Sequence, residues 1–357
     1  MNKKKSTVLR GVLIGLCVLL SLVLVLMIGA AVYIETRILG RVQKLDTDVT
    51  ANSEQIESYL KETDAPDPNF TGPTFNGEDV TIPTGAAPVI ETGENVINFL
   101  LVGQDRRSSG YVGQTDAMIL VTVNKANKTL TLTSFMRDLW VRIPGKFNER
   151  LNTAYYLGGF DLLNATLKEN FGIVVDHNIA IDFKAFSKAV DLLGGIDMEL
   201  TQKEANYLNK KGNWDVNPST AWAWNLTEGV NHLSGEQALA YSRIRGVGGA
   251  YGNDDFGRTG RQRAVLAKLV DKAKSMDVIK ALSLVDQLIP LVATDMTSDQ
   301  ILSYVRELLP ILSKLELVNQ RVPAENTYYL AMIDGKSVIV ADFEKNRQIL
   351  QDAFSED

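Results

Sequence analysis

Arginines, aspartates or both gather at four places in this sequence, each at a junction between patterned elements. The first is GQDRR (103–107), with Asp105 and Arg107; the second is GQTDAM (113–118), with Asp116. The third, SFMRDLWVRIPG (134–145), carries Arg137 and Asp138. The fourth runs from GEQALAYSRIR (235–245), through GVGGAYGN, to DDFGRTGRQR (254–263). Arginine is the preferred side chain for bidentate phosphate recognition and stays protonated. If Asp105 and Asp116 converge at one sheet edge, two carboxylates with phosphate oxygens and water could hold Mg²⁺. If 241–245 is extended, Tyr241, Arg243 and Arg245 share a face. If residues from 258 are helical, Arg258, Arg261 and Gln262 line one side near a helix N-terminus that favours anions. The plainer alternatives are aspartates that cap turns and arginines in surface ion pairs. Asp254 and Asp255 could likewise be an acid/base pair or a helix cap.

The rest of the composition removes other chemistries. Cys17 is the sole cysteine and lies in an apolar run, so no intrachain disulfide, cysteine zinc site or iron–sulfur cluster is expected. His177 and His232 are the only histidines, with no G-x-S-x-G, which argues against zinc and serine-hydrolase chemistry. Trp222 and Trp224 could stack on a sugar, or simply belong to a half-buried strand. The formal charge of −6 includes Lys3, Lys4, Lys5 and Arg10, so the body is more acidic still and unlike a general nucleic-acid binder.

These groups need a scaffold, and the patterning supplies one. Residues 11–34 carry no charge over 24 positions, which as a helix gives about 36 Å against a hydrocarbon core of about 30 Å. With the positive charges before it, the run reads as a type II signal-anchor with everything after residue 35 outside the cell. A cleaved signal peptide is the rival, but its apolar region would be shorter. Residues 36–61 are polar, as in a helical stalk, and 62–95 hold five of the ten prolines, as in a linker. From Val96 onward, strand patterns at 96–103, 117–124, 129–135, 178–183 and 337–342 alternate with helical ones. The helices fall at 160–170, 183–193, 258–275, 277–292 and 298–314. That predicts one α/β/α domain over 96–357, a central mixed sheet flanked by helices, preceded by one transmembrane helix and a ten-residue cytoplasmic tail.

In order, these clusters resemble the LytR-CpsA-Psr family of bacterial cell-envelope phosphotransferases. The likeness rests on Gly103, Asp105 and Arg107, on Asp116, on Arg137–Asp138, and on L-N-x-A-Y with a following Gly-Gly (151–159). It continues through V-D-L-L-G-G-I (190–196), L-x-G-E-Q-A-L-x-Y-x-R-x-R (233–245) and D-F-G-R-x-x-R-Q-R (255–263). The resemblance implies transfer of a glycopolymer, such as a teichoic acid or capsular polysaccharide, from a polyisoprenyl-pyrophosphate carrier to peptidoglycan. The acceptor would be the N-acetylmuramic acid 6-OH, and polyisoprenyl phosphate would leave. It further implies Mg²⁺ (or Mn²⁺) on Asp105 and Asp116, and pyrophosphate contacts from Arg107, Arg137, Arg243, Arg245 and Arg258. The lipid would lie in an apolar channel, and Asp138 or Asp255 would be the base. The implied setting is the cell membrane of a Gram-positive-type bacterium.

Three positions depart from the family pattern. Gln114 stands where arginine is common, Met136 replaces a proline before Arg-Asp, and the glycine-rich 246–254 leaves the placement of Arg258 open. Two other readings remain: a polyisoprenyl-phosphate-binding envelope protein or regulator without catalysis, and a lipid pyrophosphatase. A DNA-binding regulator would need a cytoplasmic reader, for which ten residues are too few.

Overall fold

The computed structural model describes residues 43–45, 51–64, 70–77, 80, 82–83, 85–104, 115–210, 224–252 and 254–355. The apolar run 11–34 lies outside them, and among the described residues no helix is long and apolar enough to cross a membrane. Seven strands build one mixed sheet: β1 (Gln43–Lys44), β2 (Val96–Gln104), β3 (Thr115–Asn124), β4 (Thr129–Phe135), β5 (His177–Asp182), β6 (Val292–Thr294) and β7 (Glu316–Val322). Their spatial order is β1-β6-β5-β2-β3-β4-β7. The hairpin expected from 117–135 is present, with β3 antiparallel to β4. Strand β2 runs antiparallel to β3 and parallel to β5, and β7 adds parallel to β4.

The central strands are apolar on both sides because helices cover both faces. These are α1 (Ser53–Lys61), α2 (Leu151–Phe171), α3 (Phe183–Leu192), α4 (Gln202–Asn209), α5 (Gly235–Ser242), α6 (Asp255–Lys274), α7 (Val278–Leu288), α8 (Ser298–Leu308) and α9 (Phe343–Phe354). Leu100, Val102, Met118, Leu120 and Phe135 point to one face and pack on α2 and α9. Ile97, Phe99, Ile119, Leu130 and Leu132 point to the other, where Leu266 and Val270 of α6 and Tyr304 and Leu308 of α8 meet them. The period-two alternation therefore divides a three-layer α/β/α core.

Several boundaries differ from the sequence reading. Helix α2 starts nine residues earlier than its 160–170 pattern and kinks at Gly158–Gly159, where Gly159 takes φ +59°, a left-handed conformation that glycine tolerates. The patterns at 277–292 and 298–314 end early, at Leu288 and Leu308, each just before a proline (Pro290, Pro310) that removes a helical donor. The strand Lys336–Ala341 joins a separate sheet, antiparallel to Tyr328–Ile333. The segment read as linker also packs: Thr74–Phe75 pairs with that second sheet, and Val80, Ile82 and Ile90 are buried in the main core. Its scattered apolar residues lack periodicity because they follow the surface of a preformed domain.

Candidate functional site

Asp116 owes its position to an irregularity. Ala117 pairs with Gly103 and Thr115 with Gln104, so Asp116 is an extra residue without a partner, a bulge that re-aims its side chain. The Thr115 hydroxyl holds the bulge by bonding the carbonyls of Gly103 and Ala117 at 3.2 and 3.1 Å. Arg137 and Asp138 leave the end of β4 on a clamped backbone. The Arg137 carbonyl accepts from Asn152 N–H at 3.1 Å, and the Asp138 carbonyl accepts from Ile339 N–H at 2.9 Å. Asp255 is the first residue of α6, whose start is capped by Asp254, with Arg258 one turn on.

Arg137 is the centre of the cluster. It reaches Asp116 at 2.7 Å through Nη1, and Asp255 at 2.8 Å and Asp138 at 3.3 Å through Nε. Arg258 meets Asp255 at 3.1 Å and Asp116 at 3.2 Å. Arg245 stands at the rim, 3.6 Å from Asp116 and 3.9 Å from Asp255. Arg150, the residue before the L-N-x-A-Y motif, adds a further cation 3.8 Å from Asp138 and is anchored by Asp64 at 3.3 Å. Sequence reasoning passed over Arg150, although its position at the head of that motif was a usable signal.

The electrostatics follow from interleaving. Burial opposes the charge on Arg137, but Asp138, Asp255 and Asp116 outweigh it and hold the guanidinium protonated. Burial pushes the Asp255 carboxyl up to about 7, against the pull of Arg137 and Arg245 and with the push of Asp138. Arg258 is 2% exposed, yet its Nε and Nη1 make no hydrogen bond, and Oδ1 of Asp138 and Nε of Arg150 are also buried and unbonded. Three of these atoms, Nε and Nη1 of Arg258 and Nε of Arg150, are unspent guanidinium donors, which suit a multi-oxygen anion.

An apolar cavity of about 340 Å³ opens between the sheet and helices α3, α5, α6 and α7. Its lining includes Ala117 next to Asp116, Gln262 one turn beyond Arg258, and Ser242 just before Arg243. Deeper in, Leu101, Ile119 and Phe186 give it a hydrocarbon wall.

Not every expectation is met. Residues 241–245 are not extended: Tyr241 lies in the last turn of α5, which ends at Ser242, and Arg243 is its αR C-cap, so the shared face for Tyr241, Arg243 and Arg245 does not exist. The capping box at Ser234 and Gln237 starts a helix that runs through Tyr241. Arg243 lies over the ring of Phe183, a cavity-lining residue, at 4.7 Å, and among the described residues it forms no ion pair with the cluster's aspartates. Arg261 does not line the site with Arg258, because it is wholly buried against Glu204 at 2.9 Å and bonds the Ile244 and Gly252 carbonyls. Those bonds tie the glycine-rich segment to α6. Gly257 completes the contact, since a Cβ there would fall 2.4 Å from the Gly252 oxygen. Asp254 is the helix cap and Asp255 the cluster member. Asp105, Arg107, Gln114 and Trp222 lie outside the described residues. Trp224 is half-buried and not in a strand.

An arginine–aspartate cluster at a sheet end thus lies beside an apolar cavity whose lining starts at the neighbouring residues Ala117 and Gln262. This chain belongs to the LytR-CpsA-Psr family, whose model matches residues 48–354. It is 29% identical over 272 residues to the polyisoprenyl-teichoic acid–peptidoglycan teichoic acid transferase TagT of Bacillus subtilis, covering 74% of this chain and 77% of that one. It is 30% identical over 224 residues to Biofilm regulatory protein A of Streptococcus mutans, covering 59% of this chain and 52% of that one. Among solved structures, TagT bound to LI-WTA superposes with a TM-score of 0.58 at 26% identity, over 77% of this chain and 99% of that one. TagT with a bound octaprenyl pyrophosphate lipid shares the fold, at a TM-score of 0.55 and 24% identity over the same shares of each chain.

Proposed function

We propose that this chain is a membrane-anchored phosphotransferase that moves a glycopolymer from a polyisoprenyl-pyrophosphate carrier to a peptidoglycan hydroxyl. The observation that carries the reading is the apolar cavity beginning at Ala117 and Gln262, beside the cluster residues Asp116 and Arg258, the cavity for the isoprenoid and the cluster for the pyrophosphate. The transferase names of its relatives support it. The acceptor oxygen attacks the sugar-side phosphorus, the bridging P–O bond breaks, and polyisoprenyl phosphate leaves. Asp255 takes the acceptor proton, since a carboxyl poised near 7 suits a general base at neutral pH. Arg137, Arg245 and Arg258 neutralise the phosphates, Arg243 sits over the cavity-lining Phe183, and Arg150 braces Asp138. Phosphoryl transfer needs mainly such positioning and charge neutralisation.

Asp116 offers hard carboxylate oxygens in the half-open part of the cluster, a donor type that suits Mg²⁺ completed by phosphate oxygens and water. The family resemblance gives Asp105 as the second carboxylate, so in this reading the ion would be held by Asp116 with Asp105 and the substrate. Bound there, it would add Lewis-acid stabilisation of the pyrophosphate. In this reading the acceptor is the N-acetylmuramic acid 6-OH, and the uncharged run 11–34 behind basic residues supports a domain held outside the cell.

The regulator name of one relative favours a second reading, a non-catalytic binder of the same lipid. One assay separates the two. Full-length protein with Mg²⁺, a lipid-pyrophosphate-linked labelled sugar and peptidoglycan fragments should give labelled glycan, abolished by Asp255→Asn while lipid binding persists. Lipid binding with no label in any acceptor would favour the binder, and lipid phosphate release without label would favour a pyrophosphatase.

A further inference from the structure

Arg137, Arg150, Arg258 and Arg261 are each matched to a carboxylate. Arg263 and Arg321 are not. Arg321, on β7, lies over the Phe256 ring at 4.5 Å and 5.8 Å from that of Tyr328. Those two rings are themselves stacked with centroids 5.0 Å apart. Arg263 lies seven residues after Phe256 on α6, so the two share a helix face. That face is closed between them by Tyr251, which packs on Gly260. The Nη1 of Arg263 is buried with no hydrogen-bond partner. Burial and the nearby charge of Arg321 draw its guanidinium down to about 10. Among the described residues neither arginine forms an ion pair. Two close guanidinium groups left without a counter-charge, one with an unbonded buried donor, make a locally electropositive spot.

We propose that Arg263 and Arg321, floored by Phe256 and Tyr328, form a second anion subsite that holds a phosphate or carboxylate on a saccharide chain. The proposal rests on the transferase reading and extends it to the sugar portion of a substrate. Phe256 adjoins Asp255, so the subsite begins where the transferred chain must leave the reacting phosphorus or where the acceptor must enter. Arginine supplies the bidentate contact, and the ring faces suit a sugar. Two sources carry such a group: a phosphodiester of the donor polymer, or a carboxylate of the muramyl-peptide acceptor.

The test is equilibrium binding to the full-length protein in detergent, with two lipid-free probes, an oligo(glycerol phosphate) and a muramyl dipeptide. Octaprenyl pyrophosphate serves as a third, control ligand. Wild type is expected to bind one of the two lipid-free probes. Arg263→Gln and Arg321→Met should each weaken that binding about tenfold, the loss of one charge-assisted contact. Octaprenyl pyrophosphate binding should be unchanged in both, which also shows that they fold. The probe that binds identifies the source. Wild type binding neither probe, or either variant binding as well as wild type, would overturn the subsite and leave the transferase reading standing. Failure of wild type to bind octaprenyl pyrophosphate would instead sink the underlying reading.

Discussion

Two arginines three residues apart on α6 are equally buried and do different work. Arg261 has its guanidinium spent inside the fold, with Nε on Glu204 and its two terminal nitrogens on the Ile244 and Gly252 carbonyls. Glu204 in turn closes the capping box of α4 through Thr201. Arg258 ends between two carboxylates, Asp116 and Asp255, with Nε and Nη1 donating no hydrogen bond although Nη1 lies 3.2 Å from Asp116. Burial alone therefore does not separate a structural arginine from a binding one. The unspent donors do, because a buried donor left without a partner costs free energy unless a ligand takes it.

That contrast can be broken in graded steps. Arg261→Ala leaves the Glu204 carboxylate buried without its cation and should cost about 3–5 kcal/mol, read as a lower denaturant midpoint. Asp255→Asn should reduce transfer about 10²-fold or more, the range for a positioned base, with little change in melting temperature. Its pH profile carries a sign. Transfer should rise with pH through about 7 and then level off, as Asp255 becomes able to accept a proton. For stability the sign is opposite: a carboxyl raised in the fold from 3.8 to about 7 stabilises below the lower value, and this is lost as pH rises through the higher. Wild type should therefore lose stability across that interval relative to Asp255→Asn. Arg245→Ala should have the smallest effect, under about tenfold on transfer. Its side chain is half exposed and its contacts are at 3.6 Å or beyond, so solvent screens them.

Much of this was legible before any coordinates. The strands were visible because both-sided burial writes continuous apolar runs, as in β2 and β3. Arg137–Asp138 and Asp116 stood out because charged residues at the ends of such runs have few structural reasons to be there. What was hidden is geometric. Nothing in TDAM announces the bulge that turns Asp116 toward α6, since a bulge is a mismatch between two strands and not a property of one. The extended reading of 241–245 failed because a capping box that starts seven residues upstream, at Ser234, outweighs local alternation. Arg261 and Arg258 could not be told apart, because their partners Glu204 and Asp116 lie 57 and 142 positions away.

The most direct test of the account is the affinity of full-length protein for octaprenyl pyrophosphate in Arg258→Gln, set beside its melting temperature. The arrangement predicts at least a tenfold loss of affinity, about 1.4 kcal/mol, with the melting transition essentially in place. An unchanged affinity, or a loss that only tracks a collapse in stability, would contradict the assignment of Arg258 to the lipid pyrophosphate and return it to the same structural role as Arg261.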